Sequence, residues 1–211
     1  AEPPALEYRA AHTGAPVLRV QGLNLARADQ FGVDLIDLDL EVCAGEVVGI
    51  AGVSGNGQKE LLYALSGEDL RPAPEMVQVA GHRAGRLGPR ERRALGLHFV
   101  PEERLGRGAV PSMGLAHNLL LTRSDAVGAL GWIDMGKLQA QAQRIIERFR
   151  VKAGGVNAPA QSLSGGNLQK FIVGREIDAR PQLLIVSQPT WGVDVGAAQQ
   201  IRAALLALRD A

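Results

Sequence analysis

The segment Gly52-Val53-Ser54-Gly55-Asn56-Gly57-Gln58-Lys59 has the glycine spacing of a loop that wraps a phosphate. Glycines let the backbone turn tightly and bring N–H groups close to phosphate oxygens. A helix starting just after the loop adds partial positive charge. Taken alone, the segment leaves two readings open, a phosphate loop and a plain tight turn. Its ending departs from the pattern, which calls for Lys followed by Ser or Thr. Here those positions hold Gln58 and Lys59. Successive helical residues point about 100° apart, so the Lys59 ammonium is expected to leave the phosphate axis. Loss of one charged hydrogen bond costs about 1.5–3 kcal/mol, or roughly a tenfold to hundredfold loss of affinity.

Two further runs lie downstream. Leu163-Ser164-Gly165-Gly166-Asn167-Leu168-Gln169-Lys170 reads as a serine-led helix start with flexible glycines. A hydroxyl, glycine amides and a helix N-terminus together make an anion site. The apolar run Leu183-Leu184-Ile185-Val186 then leads into Ser187-Gln188-Pro189-Thr190, with Gly192-Val193-Asp194 just beyond.

These three runs, in this order, resemble an ATP-binding-cassette (ABC) ATPase. Leu163–Asn167 matches the family's Leu-Ser-Gly-Gly-Gln signature, and Val193-Asp194 stands at the D-loop. The resemblance covers about residues 17–211 and is nearest to the second cassette of two-cassette ATPases serving simple-sugar and nucleoside importers. The loop ending, the run Val100-Pro101-Glu102-Glu103-Arg104 with Gly108, and Gln188–Gly196 carry that finer likeness. It implies an α/β fold, a P-loop ABC ATPase cassette with a RecA-like core, an antiparallel β subdomain and a helical subdomain at about 112–170. Glu102 would stand at the Q-loop, although an exposed charged turn reads the same way. Phe31 would be the aromatic that stacks on adenine, or equally a core residue.

In the family the apolar strand ends in Asp and Glu. Here those positions are Ser187 and Gln188. An amide cannot take a proton from an attacking water as a carboxylate does. Mg²⁺ prefers anionic oxygen ligands. The chain's own site is therefore expected to hold ATP weakly and Mg²⁺ poorly. It should contain no intact catalytic residue and no metal ligand set, and the isolated chain should be a very poor ATPase. ABC cassettes pair head to tail, so the signature should complete the ATP site of a first cassette in the same polypeptide. The implied partners are that cassette and transmembrane permease subunits, and the implied place is the cytoplasmic face of the cell (inner) membrane. An alternative is a structural coupling module that binds no nucleotide. His12, His82, His98 and His117 all precede Ser187, so none fills the family's switch-histidine position beyond the D-loop. The chain is expected to be a fragment of a longer polypeptide.

The elements that must position these runs are legible in the apolar pattern. Residues 1–16, with three prolines, read as a linker before a cassette at 17–211. Val17–Leu25 alternates as a strand. Asp37–Val42 places Leu38, Leu40 and Val42 on one side, predicting a half-buried antiparallel strand. Glu46–Ala51 lacks alternation and predicts a strand buried on both faces. Helices are predicted at Glu60–Leu65, ending at Gly67, and at Lys137–Val151, Leu168–Ile177 and Ala197–Leu208. Short strands are predicted around Met76–Val79, Leu95–Val100 and Leu183–Ser187.

Composition excludes some classes. The 211 residues carry a net charge of +1, which gives no footprint for nucleic acid. The arginines between Arg83 and Arg93 read as a solvated face. Cys43 is the only cysteine, so no disulfide forms within the chain. No apolar run approaches the roughly 18–20 residues of a membrane span, so no direct insertion is expected.

Overall fold

The computed structural model describes residues 14–123 and 132–211. The linker reading for residues 1–13 lies outside the described residues, as does part of the helical stretch at 112–170. The chain divides into two compact units. Over the described residues, one comprises 14–98, 181–185 and 209–211, and the other 99–123, 132–180 and 186–208.

The first unit is built on a four-stranded sheet in the order β2-β1-β3-β4. Its strands are β1 (Pro16–Leu25), β2 (Leu35–Cys43), β3 (Val77–Val79) and β4 (His82–Arg83), paired antiparallel. Strand β1 buries Leu18 and Val20, then Leu23 and Leu25. That sequence breaks the two-residue period expected of a strand. The reason is a bulge: Val20 pairs with Leu40, whereas Leu23 pairs with Leu38. The extra residue resets which side chains face the core. Gly22 adopts φ +53° inside it, and its N–H donates to Asp39 Oδ1 at 2.7 Å. Leu61, Ala64 and Leu65 of α1 (Gln58–Ser66) complete the core with Val77 and Val79.

Helix α1 ends at Gly67, whose φ of +83° favours glycine. A Cβ there would lie 2.6 Å from the Leu87 carbonyl oxygen. The unpaired carbonyls at the end of α1 are met by Arg92 of α2 (Pro89–Ala94). Arg83, Arg86 and Arg90 are exposed, as expected of a solvated face, but Arg92 is 0% exposed. Its Nη1 donates to the carbonyls of Ala64 and Leu65, Nε to Leu87 and Nη2 to Gly85. Burial pushes its pKa down to about 10, so the guanidinium stays charged at neutral pH.

The expected strand at Glu46–Ala51 does not form. These residues have no strand assignment, and Val47, Val48 and Ile50 are 61%, 39% and 55% exposed. Apolar content alone does not make a strand; a hydrogen-bonding neighbour is also needed. Strand β5 (Leu97–Val100) pairs with β6 (Leu183–Val186) in a separate two-stranded sheet.

The second unit is largely helical, with α3 (Leu115–Leu120), α4 (Met135–Arg148), α5 (Gly165–Asp178) and α6 (Val195–Arg209). Asp134 caps α4 by accepting from the Lys137 N–H at 2.9 Å. Leu138, Ala142, Ile145 and Ile146 form its buried face. Helices α4 and α5 meet at Gly174, where a Cβ would lie 2.6 Å from Phe149 Cδ2. The Asn118 side chain is fully buried and ties down the turn before α3. It accepts from the Val110 N–H and donates to the Val110, Met113 and Gly114 carbonyls. Arg175 and Glu176 form a buried ion pair at 2.8 Å, and Arg175 also donates to the Asn118 carbonyl.

Replacing Arg92 with Met keeps much of the side-chain volume but strands several buried carbonyls. Denaturant unfolding of R92M is expected to show a loss of about 3 kcal/mol. A loss below about 0.5 kcal/mol would mean that the carbonyls find other donors.

Candidate functional site

The glycine loop lies in the first unit and is exposed from Ala51 to Asn56. Gly55 and Gly57 adopt φ of +87° and +92°, where a Cβ would be strained. Gly57 is the N-cap of α1 and provides no side-chain cap. Gln58, the first residue of α1, folds back across the loop. Its Oε1 accepts from the Asn56 N–H at 3.1 Å, and its Nε2 donates to the Val53 carbonyl at 3.0 Å. Asn56 Nδ2 donates to the same carbonyl at 2.9 Å. Gly52 leaves room for this arrangement, since a Cβ there would lie 2.6 Å from Gln58 Nε2. Lys59 turns along the helix, with Nζ 5.5 Å from the Tyr63 ring centroid. Ser54 is exposed. Phe31 is 88% exposed, which removes its reading as a core residue.

The second unit carries the other motifs. Ser164 is the N-cap of α5, but its hydroxyl serves Asn167 instead of a backbone amide. Asn167 Nδ2 donates to Ser164 Oγ at 2.9 Å, and Asn167 Oδ1 accepts from the Lys152 N–H at 2.9 Å. Ser164 and Gly165 remain exposed, and Leu163 is half-buried. Lys170 anchors the next turn by donating from Nζ to the Arg150 carbonyl at 2.6 Å. Burial pushes the Lys170 pKa down, with Asp194 opposing the shift.

Asp194 starts α6 by accepting from the Ala197 N–H at 2.8 Å. That hydrogen bond holds its carboxyl below the usual range. A Cβ on Gly166 would lie 3.3 Å from Asp194 Oδ2, so the signature and the Asp194 turn are packed together. Ser187 is buried, and its N–H donates to the Val100 carbonyl at 2.9 Å. Gln188 is exposed and adopts φ +48°, an uncommon conformation for a residue with a Cβ. Glu102 is exposed two residues past the end of β5.

A family model described as "ABC transporter" matches residues 35–191. The chain belongs to the ABC transporter family. It is 44% identical over 200 residues to the glucose import ATP-binding protein TsgD13 of Haloferax volcanii, covering 92% of this chain and 36% of that protein. It is 40% identical over 209 residues to the guanosine import ATP-binding protein NupO of Bacillus subtilis, covering 97% of this chain and 40% of that protein. The ribose import ATP-binding protein RbsA of Rhodopirellula baltica is 37% identical over 199 residues, covering 93% of this chain and 39% of that protein. The chain thus spans about two fifths of the length of these curated relatives.

The fold is that of an ABC ATPase cassette. The dimeric ATP-binding cassette MJ0796, in a post-hydrolysis state bound to ADP and Pi, superposes with a TM-score of 0.73 at 20% identity. That match covers 92% of this chain and 83% of the other. A nucleotide-free cassette from an ABC transporter also gives a TM-score of 0.73, at 21% identity, covering 92% of this chain and 78% of that one. ATP binding is the family's general property. The exposed loop amides suit phosphate in kind, but the Asn56 N–H is already engaged by Gln58. Mg²⁺ prefers anionic oxygen ligands, and none of Gln58, Lys59, Ser187 and Gln188 supplies one. Among the described residues, no group of three or more His, Cys, Asp or Glu could hold a metal ion. Among the same residues, no helix is long and apolar enough to cross a membrane.

Arg104 and Gln169 have roles that the sequence alone does not reveal. Arg104 Nε donates to Gln169 Oε1 at 3.1 Å, and Nη2 donates to the Trp191 carbonyl. Those partners lie 65 and 87 residues away along the chain, so no local pattern announces the contacts.

The stabilising contribution of the Asp194 carboxylate is present above the unfolded value of about 3.9 and is lost as pH falls through the lower folded value. After correction for intrinsic rates, amide exchange at Ala197 should quicken on acidification below about pH 4. In Asp194→Asn that acid-dependent change should disappear. An equal acid response in both proteins would contradict the assignment.

Proposed function

We propose that this chain is one cassette of an ABC importer ATPase for nucleosides or simple sugars, and that it stands second in a two-cassette polypeptide. Its signature, Leu163–Asn167, completes the ATP site of the first cassette. Its own loop holds ATP weakly and forms no working Mg²⁺ centre. The similarity to glucose, guanosine and ribose import ATP-binding proteins supports the solute class. The wider partners are transmembrane permease subunits, and the chain works from the cytoplasmic face of the membrane without entering it.

The observation that carries this reading is the Gln58 side chain. In place of a lysine reaching toward phosphate, an amide satisfies the loop's own Asn56 N–H and Val53 carbonyl. A phosphate must displace those bonds without gaining an ammonium partner. Ser187 and Gln188 add to the deficit, because neither supplies a carboxylate as metal ligand or base. By contrast, the start of α5 stays exposed at Ser164 and Gly165, open to an anion carried by another cassette.

Two measurements test the two halves. Ser164→Arg in the full-length ATPase fills the anion site with a bulky side chain. ATP turnover should fall at least about tenfold, a barrier change of about 1.4 kcal/mol. Wild-type turnover in that variant would sink the signature role. Calorimetry of ATP binding to the chain should give a Kd roughly tenfold to hundredfold tighter for Gln58→Lys, the equivalent of one charged hydrogen bond. An unchanged Kd would show that Gln58 does not limit the loop.

A further inference from the structure

We infer that Arg104 is a positioning residue that links the Glu102 loop to the start of α5, where the signature meets the partner's nucleotide, and to the Asp194 turn. This rests on the reading of the signature given above. The loop that launches Arg104 is closed on itself. The Gly108 N–H donates to the Glu103 carbonyl, and the Ala109 N–H to the Arg104 carbonyl, at 2.9 and 2.7 Å. Gly108 also braces the loop against α5, since a Cβ there would lie 3.0 Å from Ile172 Cδ1. The Arg104 backbone is therefore held, and its guanidinium reaches out from a fixed base.

The guanidinium then grips two segments. Nε donates to Gln169 on α5, and Nη2 donates to the Trp191 carbonyl just before Asp194. Gln169 is only 1% exposed, so that contact joins a buried partner. The glycines around it record the fit. A Cβ on Gly165 would lie 2.8 Å from Nη1, and one on Gly192 would lie 3.4 Å from Nη2. Gly192 also has φ +60°, which turns the chain beside this contact. A planar fork with several fixed donors can hold two acceptors at once; an ammonium is a point charge and holds them less well. Arg104 thus makes the signature start and the Asp194 turn move together with the loop that carries Glu102. It need not touch nucleotide to do so.

The test uses the full-length ATPase with Arg104→Met, which keeps the stem and removes the donors, and Arg104→Lys, which keeps the charge. Both should lower kcat for ATP about tenfold with KM within about twofold, the pattern of misplaced groups with intact binding. Amide exchange should quicken at residues 164–168 and 191–194 in both, while residues 138–146 of α4 keep their protection. Gly165→Ala should slow turnover in the wild-type background and add little to Arg104→Met, because the clashing guanidinium is already gone. Unchanged exchange in both variants, full activity in Arg104→Lys, or additive Gly165→Ala and Arg104→Met effects would overturn the inference. Ser164→Arg separates the two levels. If it stops hydrolysis while the Arg104 variants turn over normally, only the Arg104 role fails. If it leaves hydrolysis intact, the signature reading itself fails.

Discussion

Every helix start leaves backbone N–H groups without intrahelical partners, and this chain treats two of its helix starts in opposite ways. At the loop before α1, an amide side chain from the helix itself takes up a loop N–H. At the start of α5, the Ser164 hydroxyl accepts from Asn167 and caps no backbone amide, and Ser164 and Gly165 stay exposed. One loop N–H that could meet a phosphate before α1 is thus engaged from within, whereas the start of α5 is left exposed at Ser164 and Gly165. The proposed division of labour follows from that contrast. It does not need the loop to be misfolded, since Gly55 and Gly57 keep the left-handed turns a phosphate loop uses.

The scaffolding around each start serves it. Arg92 holds the far end of α1 through backbone carbonyls, and Gly67 allows the close approach. In the other unit, Gly174 lets α4 and α5 pack at contact distance, which fixes the helix that begins with the signature. Asp194 and Arg104 then flank its first turn, one carboxylate and one guanidinium, each admitted by a glycine. The pair Gly165-Gly166 therefore has a packing reason within this chain as well as a reason in ligand approach.

The sequence was readable where structure is local. Alternation placed β1 and β2, and the 3.6-residue period placed α4, because both patterns record one buried face. It failed where the deciding partner is distant. The apolar run Val47–Ile50 looked like a buried strand, yet burial needs neighbours that the run does not itself contain. The arginine-rich stretch is solvated at Arg83, Arg86 and Arg90, yet Arg92 is buried and donates to the carbonyls of Ala64 and Leu65 in α1, 28 and 27 positions earlier, as well as to Gly85 and Leu87. In β1, alternation could not show that the bulge at Gly22 shifts its phase. The site motifs stood out because their glycines and their order are specific. The fold-back of Gln58 did not, because the substitution shows a missing lysine and only the structure shows where the amide goes.

The most direct measurement counts working sites. Full-length protein turning over Mg-ATP in the presence of vanadate should trap nucleotide only where loop, metal ligands and base are all present. One nucleotide should be trapped per polypeptide, and none in Ser164→Arg. Two trapped nucleotides per polypeptide would mean that the site built from Gln58, Ser187 and Gln188 is catalytically competent, and the asymmetry proposed for this chain would be wrong.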